Sequence, residues 1–66
     1  MRVTVNGKAM ELPDGLSVER LLERLEVPRQ YTAVALNGEV ARKSSYAHML
    51  LREADRVEIV RPMGGG

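Results

Sequence analysis

The chain has 66 residues, 44% hydrophobic and 29% charged, with ten bases set against nine acids for a net charge of +1. That length holds one small domain, of a size that buries only about 60% of the surface its unfolded chain exposes. The absence of cysteine, a lone histidine (His48) and evenly mixed charges exclude a disulfide framework and a zinc site and argue against a nucleic-acid footprint, and with Tyr31 and Tyr46 as the only aromatics there is no base-stacking platform.

Taken in order, Met1, Val3 and Val5 alternate with Arg2 and Thr4, the period-two pattern of a half-buried strand. Asn6-Gly7 follows, a dipeptide suited to the positive φ angles of a two-residue hairpin turn. Met10 and Leu12 share one face of a second strand, and Pro13-Asp14-Gly15 ends the hairpin. Ser17 is placed to cap a helix with Glu19 in its first turn. Val18, Leu21, Leu22 and Leu25 then fall at i, i+3, i+4 and i+7 as one apolar stripe, and Pro28 forbids continuation. The remaining, charged face of this helix reads as solvated.

Thr32 to Leu36 is apolar on both faces, which predicts a strand covered on one side and tightly packed on the other. A second Asn-Gly, Asn37-Gly38, turns into a short strand around Glu39-Val40-Ala41. Residues 42–55 carry the weakest pattern: Ser45 is placed to cap a single helical turn containing Tyr46 and Ala47, and Met49, Leu50 and Leu51 are expected to cover the core. Glu53-Ala54-Asp55 reads as a turn. Arg56 to Arg61 is the clearest strand of the second half, with Val57 and Ile59 inward, and Pro62 ends its pairing because it has no N–H to donate.

One main helix and four or five strands predict an α+β fold of two layers. The right-handed crossover rule sets the last strand parallel to the first. This is the β-grasp (ubiquitin-like) arrangement, a mixed sheet packed on one helix, and it makes the last strand a central one. The expected organisation is a β-grasp domain over residues 1–62 and a flexible glycine tail over 63–66. No apolar run approaches the roughly 18 residues that span a bilayer, and the first residues lack a signal peptide's apolar core, so no membrane partner and a cytoplasmic location are expected.

The tail, Met63-Gly64-Gly65-Gly66, ends in a carboxylate with no side chain beside it. Without Cβ atoms it can thread a narrow channel, and the carboxylate should be ionised at neutral pH. By itself such an end reads as frayed or inert. The pattern of strands, the segment Ala33-Val34-Ala35-Leu36-Asn37-Gly38-Glu39-Val40, the strand Asp55 to Arg61 and the Gly-Gly end together resemble the ThiS family along the whole chain. This family comprises the ubiquitin-like sulfur carriers of thiamin thiazole biosynthesis. The chain departs from the family's pattern in having Glu53-Ala54-Asp55 where an Asp-Gly-Asp turn is common, and in ending on three glycines rather than two.

The resemblance implies that a ubiquitin-activating-type adenylyltransferase (ThiF-like) transfers AMP from ATP to the terminal carboxylate. A persulfide donor then supplies sulfur, and the resulting thiocarboxylate serves a thiazole synthase (ThiG-like). Gly66 and Gly65 would be the adenylation and thiocarboxylate site, with Gly64, Met63 and Pro62 docking the tail. The carrier would be a monomeric cosubstrate with no catalytic residue, bound cofactor or metal of its own. Other readings of the same pattern are a carrier for molybdopterin or tRNA thiolation, a protein modifier, and a β-grasp interaction module whose tail is irrelevant. His48 lacks the partners of a general base. The spacing of Glu39, Glu53, Asp55 and Glu58 matches no oxygen-ligand loop. Arg56 and Arg61 flank the last strand and would suit either an acidic partner surface or edge solubility.

Overall fold

A computed structural model describes residues 1–60. Five strands form one mixed sheet: β1 (Arg2–Val5), β2 (Lys8–Glu11), β3 (Ala33–Leu36), β4 (Glu39–Ala41) and β5 (Arg56–Val60), in the spatial order β2-β1-β5-β3-β4. β5 lies at the centre, parallel to β1 and antiparallel to β3, as the crossover argument requires. The outer pairs β1–β2 and β3–β4 are antiparallel hairpins turned by Asn6-Gly7 and Asn37-Gly38. In both, asparagine and glycine take left-handed φ angles, of 50° and 85° in the first and 52° and 87° in the second.

The helix α1 (Val18–Arg24) lays Val18, Leu21 and Leu22 on the sheet, where they join Val3, Val5, Leu12, Val34, Leu51 and Val57 in the core. Burying a side chain of this kind contributes about 1.5–3 kcal/mol, which is how a two-turn helix too short to stand alone persists. Its first turn is bonded from outside the helix. The Val18 and Glu19 N–H groups donate to the carbonyls of Met49 and Tyr46 at 2.9 and 3.1 Å, the Arg20 N–H to the Ser17 hydroxyl at 3.1 Å, and the Leu21 N–H to the Ser17 carbonyl. The first three of these are orphan donors of a helix N-terminus, and the Leu21 N–H makes the first bond of the helix itself.

The helix stops before Pro28 can act. Glu26 adopts φ 56°, its N–H returns to the Glu23 carbonyl, and the Val27 N–H returns to that of Leu22. This paired reversal is the Schellman closure, here made without its customary glycine.

Two local expectations need correction, and a third is met through the backbone: Ser45 ends a 3-10 turn (Lys43–Ser45), and its carbonyl accepts from the His48 and Met49 N–H groups, closing a single helical turn that contains Tyr46 and Ala47. Of the Met49-Leu50-Leu51 run, Leu51 is buried and Met49 packs against the core, but Leu50 is 55% exposed, because its backbone pairs with Ser17 and turns the side chain outward. β3 is covered on one face only: Val34 is buried while Ala33 on the opposite face is exposed, since among the described residues no second layer packs there. Among the described residues the largest fully buried side chain is Tyr46, with the Arg29 guanidinium 5.7 Å from its ring centroid and no described hydrogen-bond partner for its hydroxyl.

Two stability outcomes follow from these features. Ala54 holds φ 71° in the turn where a glycine would be at ease. A left-handed conformation costs an L-residue about 1–2 kcal/mol, partly offset by the entropy that glycine loses on folding. Ala54→Gly should therefore stabilise by roughly 0.5–1 kcal/mol in urea titration; a loss of stability would mean the turn is unstrained. For Tyr46→Phe the usual loss of about 1 kcal/mol per hydrogen bond should be missing, because the buried hydroxyl has nothing to lose. Unchanged or higher stability is expected, and a drop above about 1 kcal/mol would reveal a bound partner for that oxygen.

Candidate functional site

The functional expectation rests on the end of β5, so the site is built from that strand outward. Val57 and Ile59 face the helix, Val57 fully buried and Ile59 against the core, which turns Arg56, Glu58 and Val60 to the open face of the sheet. Val60 ends the strand opposite Ala33. Pro62, Met63, Gly64, Gly65 and Gly66, the residues predicted to react and to dock, lie outside the described residues, as does Arg61. The described residues end with Val60, the last residue of the central strand.

The open face has two characters. Over β1 and β2 it is polar, with Arg2 Nε donating to Glu11 Oε2 at 2.9 Å across the pair and Thr4 beside Arg56. At the corner made by β3, β4 and the end of β5 it is apolar. Register places Ala33 against Val60 and Ala35 against Val40, and residues directly opposite in antiparallel strands share a face. Val40 is 81% exposed and Val60 62%. Single exposed apolar residues need no explanation, but neighbours gathered on one corner form an exposed apolar patch, the kind of surface that can take a partner.

A groove runs along this corner, lined by Thr32, Ala33, Val40, Ala41, Lys43 and Val60 among others. Its polar margin is held by backbone carbonyls: Lys43 Nζ donates to the Gln30 carbonyl at 2.7 Å, and Arg29 donates to the Lys43 carbonyl at 2.9 Å while pairing with Glu19. The corner thus presents an apolar floor with cationic side chains at its border, at the end of β5.

The other candidate groups stand apart. His48 is exposed, and no group of three His, Cys, Asp or Glu side chains among the described residues could hold a metal ion. Glu53 accepts from the Arg2 N–H at 2.9 Å, and Asp55 accepts from the Arg52 N–H at 2.8 Å and from Asn37 Nδ2 at 3.1 Å, so both brace turns. Glu39 and Glu58 are exposed. Arg56 contributes its backbone N–H to Asn37 Oδ1 at 2.9 Å, and its side chain is exposed.

Sequence reasoning passed over Val40 and did not use Val60. For Val60 a signal existed, since Val57 and Ile59 inward put it outward. Val40 sits in a strand of three residues, too short for alternation to assign its face.

Known proteins sort around this architecture. The crystal structure of a thiamine biosynthesis protein (ThiS) from Geobacter metallireducens superposes with a TM-score of 0.86 at 38% identity, each chain covered completely. The sulfur carrier protein ThiS of Escherichia coli is 26% identical, again over the full length of both chains. A thiazole synthase of Paramagnetospirillum magneticum is 38% identical over 66 residues, and this chain spans 20% of that protein's length. The ThiS family model matches residues 3–66, glycine run included, and the chain belongs to the ThiS family.

Proposed function

We propose that this protein carries sulfur for the thiazole ring of thiamin as a thiocarboxylate on Gly66. Family membership and the full-length likeness to a sulfur carrier protein support a carrier role for this domain, with the chemistry carried out by its partners. The observation that supports the chemical form most directly is that the family match extends through the last glycine, so Gly64, Gly65 and Gly66 lie inside the shared region.

A carboxylate is a poor electrophile, because expelling an oxide is unfavourable. In the proposed cycle a ThiF-like partner transfers AMP from ATP to the Gly66 carboxylate and releases pyrophosphate. AMP is then a competent leaving group: the outer sulfur of a donor persulfide displaces it at the carbonyl carbon to give an acyl disulfide, and a second thiol of the donor or partner cleaves that S–S bond, releasing the thiocarboxylate and leaving a disulfide behind. Gly65 and Gly66 offer no Cβ to obstruct a narrow adenylation channel. Gly64, Met63 and Pro62 dock the tail at the partner's entrance, and the apolar corner of Ala33, Ala35, Val40 and Val60 supplies the contact surface behind them. A ThiG-like thiazole synthase consumes the product, a reading supported by the thiazole synthase of which this chain matches a fifth. ATP is the partner's substrate, which suits a cytoplasmic setting; among the described residues no helix is long and apolar enough to cross a membrane.

Incubation with ATP, the activating partner and a sulfur donor should raise the protein's mass by the exchange of one oxygen for one sulfur. Deleting Gly65 and Gly66 should abolish that gain while the circular dichroism spectrum stays unchanged. A truncated chain that still accepted sulfur would sink the proposal. Val40→Asp should leave stability within about 0.5 kcal/mol of the parent, the usual range for an exposed position. The same change should raise the KM for the activating partner roughly tenfold, the equivalent of about 1.4 kcal/mol of contact energy. An unaltered KM would remove the corner from the docking surface.

A further inference from the structure

β5 lies between two strands, yet neither accompanies it along its whole length. β1 pairs with it only at Thr4↔Arg56 and Val5↔Val57, after which the chain turns away into its hairpin. β3 pairs from Leu36↔Val57 to Ala33↔Val60, leaving the opposite end of β5 without a partner on that side. Each gap is filled by the asparagine of an Asn-Gly turn. On the β1 side, Asn6 Oδ1 accepts from the Ile59 N–H at 2.7 Å and Asn6 Nδ2 donates to the Ile59 carbonyl at 3.3 Å. One carboxamide thereby satisfies both backbone groups of Ile59, as a residue of a neighbouring strand would. On the β3 side, Asn37 Oδ1 accepts from the Arg56 N–H at 2.9 Å and Nδ2 donates to the Asp55 carboxylate at 3.1 Å.

The two clamps hold opposite ends of the strand. Asn37 secures its beginning, and Asn6 its end, one residue before Val60. We propose that Asn6 is a positioning residue for the reactive tail: by holding Ile59 on the side that β1 has left, it fixes the frame from which the chain continues toward Gly66. Its consequence at the activating partner rests on the carrier reading above, whereas the clamp itself does not. Without Asn6, Ile59 and Val60 are held by β3 alone, and a strand end held on one side opens locally at little cost. The partner must then order that end on binding, which weakens association. The adenylated carbon belongs to Gly66, remote from Ile59 in the chain, so the loss appears in KM and leaves kcat unaffected.

The test compares Asn6→Gly with Asn37→Gly, using amide exchange by NMR and the steady-state rate of adenylation. Glycine adopts the left-handed φ of both positions freely, so each turn is kept while its carboxamide is lost. Asn6→Gly should speed exchange of the Ile59 amide by about tenfold and raise the carrier's KM roughly three- to tenfold, with kcat within about twofold. Asn37→Gly also loses its two hydrogen bonds but should leave Ile59 exchange and KM at the parent values. Asn6→Asp keeps the acceptor for the Ile59 N–H and loses the donor, and should fall between parent and Asn6→Gly on both readouts. Unchanged Ile59 exchange in Asn6→Gly would overturn the clamp. Faster exchange with an unchanged KM would overturn the positioning role, as would an equal rise in KM from Asn37→Gly, which general destabilisation would produce. If the parent protein were not adenylated at all, the carrier reading would fall and the role toward the partner with it, while Ile59 exchange would still decide the clamp.

Discussion

A strand at the centre of a sheet must find hydrogen-bond partners for its backbone along both edges, and here that strand is β5. An unpaired buried N–H or carbonyl costs about 1–3 kcal/mol, so the position of β5 is held only when β1, β3 and the turns that follow them are all in place. β1 and β5 lie at opposite ends of the described chain, so their pairing closes a long loop, whose entropy must be offset before any contact rewards it. The hairpins β1–β2 and β3–β4 are local and cheap by comparison. The sheet thus becomes one layer only when its last strand is inserted, and that strand is the one that leads into the glycine tail.

The same requirement explains the segment least legible in sequence. Residues 46–51 have neither helical nor strand periodicity because what they contribute is mostly backbone. The carbonyls of Tyr46 and Met49 receive the first two N–H groups of α1, and the Leu51 N–H returns to the Leu16 carbonyl. Any residue type supplies a carbonyl, so capping of this kind leaves little trace in composition. The side chains that do count, Tyr46 and Leu51, enter the core singly from an irregular path. Ser17 was legible as the cap because it acts through its hydroxyl; the partners across from it were not.

Elsewhere legibility follows the same division between side-chain and backbone work. The two Asn-Gly turns, the Val18-Leu21-Leu22 stripe and the alternation in β5 were readable, because each demands particular side chains at particular positions. The helix end was not: Glu26 closes it in a conformation that glycine would normally mark. The glycine tail was read through its resemblance to a family, since three glycines alone carry no chemistry. The apolar corner escaped notice because it is assembled by register from four positions on three strands, each ordinary in its own segment.

The corner and the tail also differ in what each can contribute to binding. Fixing the backbone of one residue costs roughly 1–2 kcal/mol, and glycine, with the most freedom to lose, lies at the upper end. A glycine tail threaded into a partner is therefore a net cost until its carboxylate reacts, so affinity must come from elsewhere on the surface. The exposed Val40 and Val60 on a sheet already ordered by the fold can supply it without further loss of freedom. This division would suit the proposed carrier, which leaves one enzyme and enters another. In the proposed cycle a small preordered corner would give modest affinity for either partner, and Gly65 and Gly66 would add reactivity without adding grip. A larger apolar surface or a side-chain-bearing tail would hold the first partner more tightly and slow the handover on which a carrier depends.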